Sequence, residues 1–129
     1  MILADTSVWI DHFRMNVPEL HAGLARNGVV IHPFVAIELA LGSLRDRQQT
    51  LAFLELLPQS QVAQHSEVRN MIEFHKMYCK GIGFVDAHLV ASCLLTPGTL
   101  LWTRDAALSR IARSLGILFS PSTPTALIP

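Results

Sequence analysis

Four of the ten acidic residues in this chain stand in apolar company, where an uncompensated carboxylate is costly. Asp86 lies in the stretch Gly81 to Leu95, Gly-Ile-Gly-Phe-Val-Asp-Ala-His-Leu-Val-Ala-Ser-Cys-Leu-Leu. A helix starting near Phe84 or Val85 places Asp86 on one face with Leu89, Val90 and Cys93, and no Arg or Lys on that helix offsets its charge. Two readings follow. Asp86 caps the first turn, worth roughly 0.3 to 1 kcal/mol, or it faces a cation. Glu38 is flanked by Phe34, Val35, Ile37, Leu39 and Leu41 in a segment with almost no polar face. Asp5 ends the apolar run Met1 to Ala4, and Asp105 follows the apolar run Thr99 to Trp102. By contrast Asp11, Glu19, Asp46, Glu55, Glu67 and Glu73 fall on helix faces beside polar or basic residues and read as solvated charges.

Four carboxylates gathered in one place repel one another and raise their pKa values unless a cation is present. An all-oxygen donor set with no paired His or Cys suits Mg2+ or Mn2+. Such an ion orients or deprotonates a water for in-line attack on a phosphodiester and stabilises charge developing at phosphorus. Asp5, Glu38, Asp86 and Asp105 are therefore the candidate catalytic and metal-binding residues for phosphodiester hydrolysis.

The elements that would position them alternate between strand and helix. Met1–Ala4, Val29–Ile31, Gln61–Ala63 (weak), Thr99–Trp102 and Ile117–Phe119 read as strands. Helices are expected over Val8–Arg14 with Thr6 or Ser7 as its cap, Glu19–Arg26 after Pro18, Pro33–Leu41, Asp46–Leu57, Ser66 to about Lys80, the Asp86 segment, and Ala106–Leu115. Leu51, Leu54, Leu56 and Leu57 are expected to point inward, as are the apolar positions Met77 and Tyr78. This alternation predicts a three-layer α/β/α sandwich with a central parallel sheet. Ligands of such sheets bind beyond the carboxyl ends of the strands, where Asp5 and Asp105 fall.

With 129 residues, the chain is read as a single domain over 1–129, with an irregular proline-rich tail at 120–129. Half the residues are hydrophobic and the mean hydropathy is +0.37, which predicts an apolar face covered by a second copy or a partner. Pro97-Gly98 interrupts the longest uncharged run, and no secretory signal precedes Asp5, so a cytoplasmic protein without a membrane span is expected. Ten Lys plus Arg against ten Asp plus Glu create no overall field for nucleic acid, so phosphate contacts must be local. Cys79 and Cys93 lack metal-ligand spacing and are expected to be free core thiols.

Asp5-Thr6-Ser7 after the first strand, Glu38-Leu39-Ala40 in a helix, Phe84-Val85-Asp86-Ala87 opening another, and Thr103-Arg104-Asp105 after a late strand resemble the PIN-domain nucleases. More narrowly they resemble the VapC toxins of type II toxin-antitoxin modules, over nearly the whole chain. That resemblance implies a PIN-like fold and a Mg2+- or Mn2+-dependent endoribonuclease acting on structured RNA, often tRNA or rRNA. It also implies a homodimer and a VapB-type antitoxin whose C-terminal segment occupies the acidic groove. By position, Asp5, Glu38, Asp86 and Asp105 match the family's acidic site, and Ser7 and Thr103 match hydroxyl positions that steady the carboxylates. Some members carry a further acid beyond the Thr103 motif, where this chain has Ala106, Ala107, Leu108 and Ser109.

Other residues carry weaker signals. Arg104 either holds a substrate phosphate or pairs with an acid of the site. Arg14, Arg45 and Arg47 are surface charges in reach of RNA, and His32 and His88 fit packed or hydrogen-bonded roles better than catalytic ones. Trp9, Phe13 and Phe34 have the spacing of packing residues rather than base-stacking ones. Two rivals remain: a phosphatase or phosphoacceptor domain using Asp5 as nucleophile, and a catalytically inactive PIN-like binding module.

Overall fold

Three short strands, β1 (Ile2–Ala4), β2 (Val29–Val30) and β3 (Leu100–Trp102), form a parallel sheet in the order β2-β1-β3. They belong to a computed structural model that describes residues 1–121. Every residue of β1 is buried, and successive strand residues point to opposite faces, so both faces of the sheet are covered. Seven helices among the described residues provide that cover: α1 (Thr6–Met15), α2 (Pro18–Ala25), α3 (Pro33–Ala40), α4 (Arg47–Leu56), α5 (His65–Phe74), α6 (Phe84–Leu95) and α7 (Ala106–Ser114). The expected α/β sandwich is the fold. None of these helices is long and apolar enough to cross a membrane.

The central strand sets the geometry. Ala4 lies opposite Trp102 in the β1–β3 register, and the Asp5 N–H donates to the Trp102 carbonyl at 2.9 Å. The residues that follow, Asp5 and Thr103, therefore leave the sheet side by side. Trp9, Trp102, Leu3, Leu20, Leu54, Leu89 and Leu108 are among the largest side chains in the core.

Several elements differ from the sequence expectation. Gln61–Ala63 is not a strand; β2 is extended instead by one bridge between Ile31 and Gln59. Ile117–Phe119 is reduced to one bridge, Leu101 to Leu118, flanked by two backbone hydrogen bonds to Leu101 at 2.7 and 2.8 Å. Asp5, not Thr6 or Ser7, caps α1, and Gln64 rather than Ser66 precedes α5, its N–H donating to the Glu67 carboxylate at 2.8 Å. Helix α5 stops at Phe74, not near Lys80, because left-handed backbone at Lys76 breaks the helical path. Leu54 is buried but Leu56 is 85% exposed: the two are 200° apart on α4 at 100° per residue. Cys93 is a core thiol pushed up to about 12 by burial, whereas Cys79 is exposed in the loop after α5. The expected irregular tail lies, from residue 122 onward, outside the described residues.

His32 has a structural role. Its Nδ1 accepts the Phe34 N–H at 3.0 Å and so caps α3, which requires an unprotonated Nδ1. The ring is fully buried, and burial, reinforced by His88, lowers its pKa from 6.5 to about 4. Between those values the folded chain binds fewer protons at His32 than the unfolded chain does. Its contribution to stability is therefore complete above pH 6.5 and lost as the pH falls towards about 4, a loss on the order of 3 kcal/mol. Urea unfolding across that window should show this decline. His32→Asn, which can still cap the helix without titrating, should make it shallower, leaving the smaller part due to His12 and His88, whose pKa values burial also lowers.

Candidate active site

The site begins with the Asp5 carboxylate, buried at the carboxyl end of β1. Oδ1 accepts the Ser7 hydroxyl at 2.5 Å and the Val8 N–H at 3.1 Å, and Oδ2 accepts the Thr103 hydroxyl. The turn from strand to helix aims free N–H groups at Asp5, so one side chain caps α1 and fills the end of the sheet. Thr103 Oγ1 in turn accepts the Asp105 N–H at 2.9 Å, and Ser7 Oγ accepts the Arg104 N–H at 3.1 Å. The two hydroxyls thus tie the loop after β3 to Asp5 and the first turn of α1.

Asp105 caps α7, its Oδ1 accepting the Leu108 N–H at 2.8 Å. Asp86 lies in the first turn of α6, half-buried, with Oδ2 accepting the Gly83 N–H at 3.3 Å. The capping reading of Asp86 is therefore present, and so is the crowding reading. Burial raises its pKa above the usual carboxylate value, the Gly83 N–H opposes this, and the charges of Asp105, Asp5 and Glu38 add to the rise. Glu38 is exposed rather than enclosed by its apolar neighbours, because Ile37 (58% exposed) and Leu41 (83% exposed) also face outward. Its Oε1 accepts the Thr6 hydroxyl at 2.5 Å.

Hydrogen bonds thus join the Asp5 carboxylate, the Ser7 and Thr103 hydroxyls and the Asp105 backbone N–H, and Thr6, next to Asp5 in the chain, holds Glu38. Asp86 is coupled to the other three acids through its field rather than by a bond. Among the described residues, no three His, Cys, Asp or Glu side chains lie close enough together to enclose one metal ion. The donor chemistry nevertheless fits a hard cation. All four groups are carboxylates, a positive charge would relieve the repulsion that raises Asp86, and Mg2+ commonly keeps several waters and needs only one or two carboxylates.

Three participants escape sequence reading. Thr6 is hidden by its neighbours' better-known roles, although it belongs to the same Asp-Thr-Ser turn. Gly83 acts through its backbone. Asp11, which reads as a solvated charge, makes the one ion pair among the described residues, at 3.1 Å from Arg104 Nε. Arg104 also lies 5.5 Å from the centre of the Trp102 ring, so its pairing partner is Asp11 and not one of the four acids. His88 is enclosed by rings, 4.8 Å from Phe34 and 4.7 Å from Phe84 between centroids, and takes a packing position. Arg47 donates to the Ala40 carbonyl at 2.5 Å and the Gly42 carbonyl at 3.2 Å, capping the end of α3.

Comparison with known proteins gives the family. Residues 2–114 match the family model described as PIN domain. Two relatives, both Ribonuclease VapC32, come from Mycobacterium tuberculosis strains CDC 1551 / Oshkosh and ATCC 25618 / H37Rv. Each is 40% identical over 117 residues, covering 91% of this chain and 94% of the relative. The chain belongs to the PIN-domain family and, within it, to the VapC type.

Proposed function

We propose that this protein is the toxin of a toxin-antitoxin pair, a cytoplasmic endoribonuclease that hydrolyses phosphodiester bonds in structured RNA, with tRNA or rRNA as the substrate class. The observation that carries this reading is the hydrogen-bonded cluster at the carboxyl edge of the sheet, in which Ser7 and Thr103 hold Asp5 and Thr6 holds Glu38. The raised pKa of Asp86, due first to burial and then to the charges of Asp105, Asp5 and Glu38, supports it. The PIN-domain match and the ribonuclease relatives support it. The chain acts as one nuclease domain over residues 1–129.

Asp5 and Asp86 would hold Mg2+ or Mn2+, with Glu38 and Asp105 completing the acidic surround. When bound, the ion lowers the pKa of a water and neutralises charge developing on the phosphate. The chain's own residues do the rest. Ser7, Thr103 and the Val8 N–H donate to Asp5 and so fix its direction. The Asp105 N–H orients the Thr103 hydroxyl so that its proton points to Asp5. Thr6 holds Glu38 by Oε1, which leaves Oε2 to accept a proton from an attacking water. Attack by water rather than by a ribose hydroxyl leaves 5′-phosphate and 3′-hydroxyl ends.

The phosphoacceptor alternative is disfavoured by the PIN-domain match and the ribonuclease relatives, which favour Asp5 as a ligand rather than a nucleophile. The antitoxin's place in this reading is a groove of about 630 Å3 with Glu38 in its wall. Ile10, Phe13, Leu39 and Leu44 give it apolar surface for an inserted segment. Exposed Ile37, Leu41 and Leu56 offer further apolar area for a homodimer or for that partner.

Purified, antitoxin-free protein incubated with total RNA and Mg2+ or Mn2+ should give discrete cuts with 5′-phosphate ends. Asp5→Asn should lower the cleavage rate at least about a hundredfold, as should EDTA with the unsubstituted protein. Products ending in 2′,3′-cyclic phosphate would exclude water as the nucleophile. In metal-free protein, ionising Asp86 costs the folded state more than the unfolded chain. Its contribution to stability therefore falls as pH rises from about 4 towards the higher folded value. Carbon-detected NMR should find the Asp86 midpoint above the ordinary carboxylate range, and Asp105→Asn should move it down. An unchanged midpoint in that variant would mean that the two charges are not neighbours.

A further inference from the structure

The segment between α5 and α6 is the main departure from the helix expected there, and it carries a chemistry that the acids do not use. Its sequence from His75 is His-Lys-Met-Tyr-Cys-Lys-Gly-Ile-Gly. Met77 is buried and its N–H donates to the Ile72 carbonyl at 2.9 Å, which anchors the loop at its middle. Lys76, Cys79 and Gly81 adopt left-handed backbone with φ of 52°, 58° and 83°. Two of these are not glycine, an unfavourable choice that persists only where the surroundings impose it. The outcome is a tightly curled loop with Tyr78 52% exposed and Lys76 and Lys80 exposed on either side of it in sequence.

This loop lies along α7. Lys76, Met77 and Lys80 share a cavity of about 170 Å3 with Ile111 and Ser114, and a Cβ on Gly81 would stand 3.5 Å from that of Ala107. Arg110, one turn before Ser114, and Arg113 are exposed on the same helix. From residue 75 to 121 the cations are Lys76, Lys80, Arg104, Arg110 and Arg113, and the only acids are Asp86 and Asp105 of the site. Among the described residues only Arg104 has a carboxylate partner. A chain of zero formal net charge thus concentrates unpaired positive charge on the loop and helix adjoining Asp105 and Asp86. The loop itself ends at Gly83, whose N–H holds Asp86.

We propose that this loop, with α7 beside it, seats an unpaired RNA strand leading into the acidic site. A base stacks on Tyr78, and Lys76 and Lys80 contact the flanking phosphates. An exposed aromatic with an exposed cation two residues to either side of it is what a single strand needs: every base offers a π-face and every linkage a charge. The inference rests on the ribonuclease reading and specifies how the substrate approaches that site.

The test uses the full chain carrying Asp5→Asn, so that RNA survives, and fluorescein-labelled oligoadenylate read by anisotropy across a range of salt concentrations. Tyr78→Ala should weaken binding at least about fivefold, and Tyr78→Phe should restore it. The double variant Lys76→Ala, Lys80→Ala should reduce the slope of log affinity against log salt by about 1.4, the amount expected for two phosphate contacts on a single strand. Arg26→Ala, at the opposite edge of the sheet next to Gly28, should change neither quantity. All three loop side chains are exposed, so unchanged melting temperatures are expected. Loop variants that bind with the parent's affinity and slope would overturn the inference while leaving the ribonuclease reading intact, provided the unsubstituted protein cleaves RNA. Absence of both cleavage and binding in the parent would overturn the two together.

Discussion

The hydrogen bonds that converge on the Asp5 carboxylate hold the site together. A charged group buried at the end of a strand survives only if donors meet it, and Asp5 is met by the Val8 N–H and the Ser7 hydroxyl in the first turn of α1 and by the Thr103 hydroxyl from the loop after β3. These bonds cap α1 where β1 ends and, with those of the Arg104 and Asp105 N–H groups to the same two hydroxyls, clamp the loop after β3 against the first turn of α1. Fold and site are one construction at this point. A substitution that removes the carboxylate also leaves Ser7, Thr103 and the Val8 N–H without their acceptor.

Around that fixed charge the remaining acids are arranged with less support. Asp105 and Asp86 each have a backbone N–H from their own helix start, and Glu38 has one hydroxyl. Their mutual repulsion appears where burial already disfavours ionisation, at Asp86. Such a cluster is unfavourable for stability and useful for chemistry if, as proposed, its tension is relieved by a cation that activates water. The aromatic wall of His32, Phe34, Phe84 and His88 lies between α3 and α6, the helices that carry Glu38 and Asp86. It keeps both imidazoles packed, and in His32's case employed as a helix cap, rather than available to the reaction.

Much of this was legible in the residues because the signals are local. An apolar run ending abruptly in Asp-Thr-Ser or Thr-Arg-Asp marks a buried strand delivering polar groups to its carboxyl end, and an acid on an apolar helix face marks a cost that something must offset. What was not legible depends on long-range contact or on backbone states that residue type does not announce. Asp, Ser and Thr are all good caps, so the choice of Asp5 over its neighbours is made by Thr103, nearly a hundred positions away. The ion pair of Asp11 with Arg104 needs the fold to exist first. Periodicity carried α5 on to Lys80, but a left-handed lysine ends it, and Tyr78 goes from an expected core position to the surface. Gln61–Ala63 has strand-like residues but no neighbour in register, since β2 takes its bridge at Gln59.

The most direct test of the account is whether the acids form one cation site. Mn2+ binding to the full chain, followed by the loss of its free-ion electron paramagnetic resonance signal, should be saturable. It should be strongly weakened by Asp5→Asn and by Asp86→Asn alike, with the circular dichroism of both variants unchanged. Folded variants that bind Mn2+ as the parent does would contradict it, because the carboxylates would then be neighbours without a common ligand.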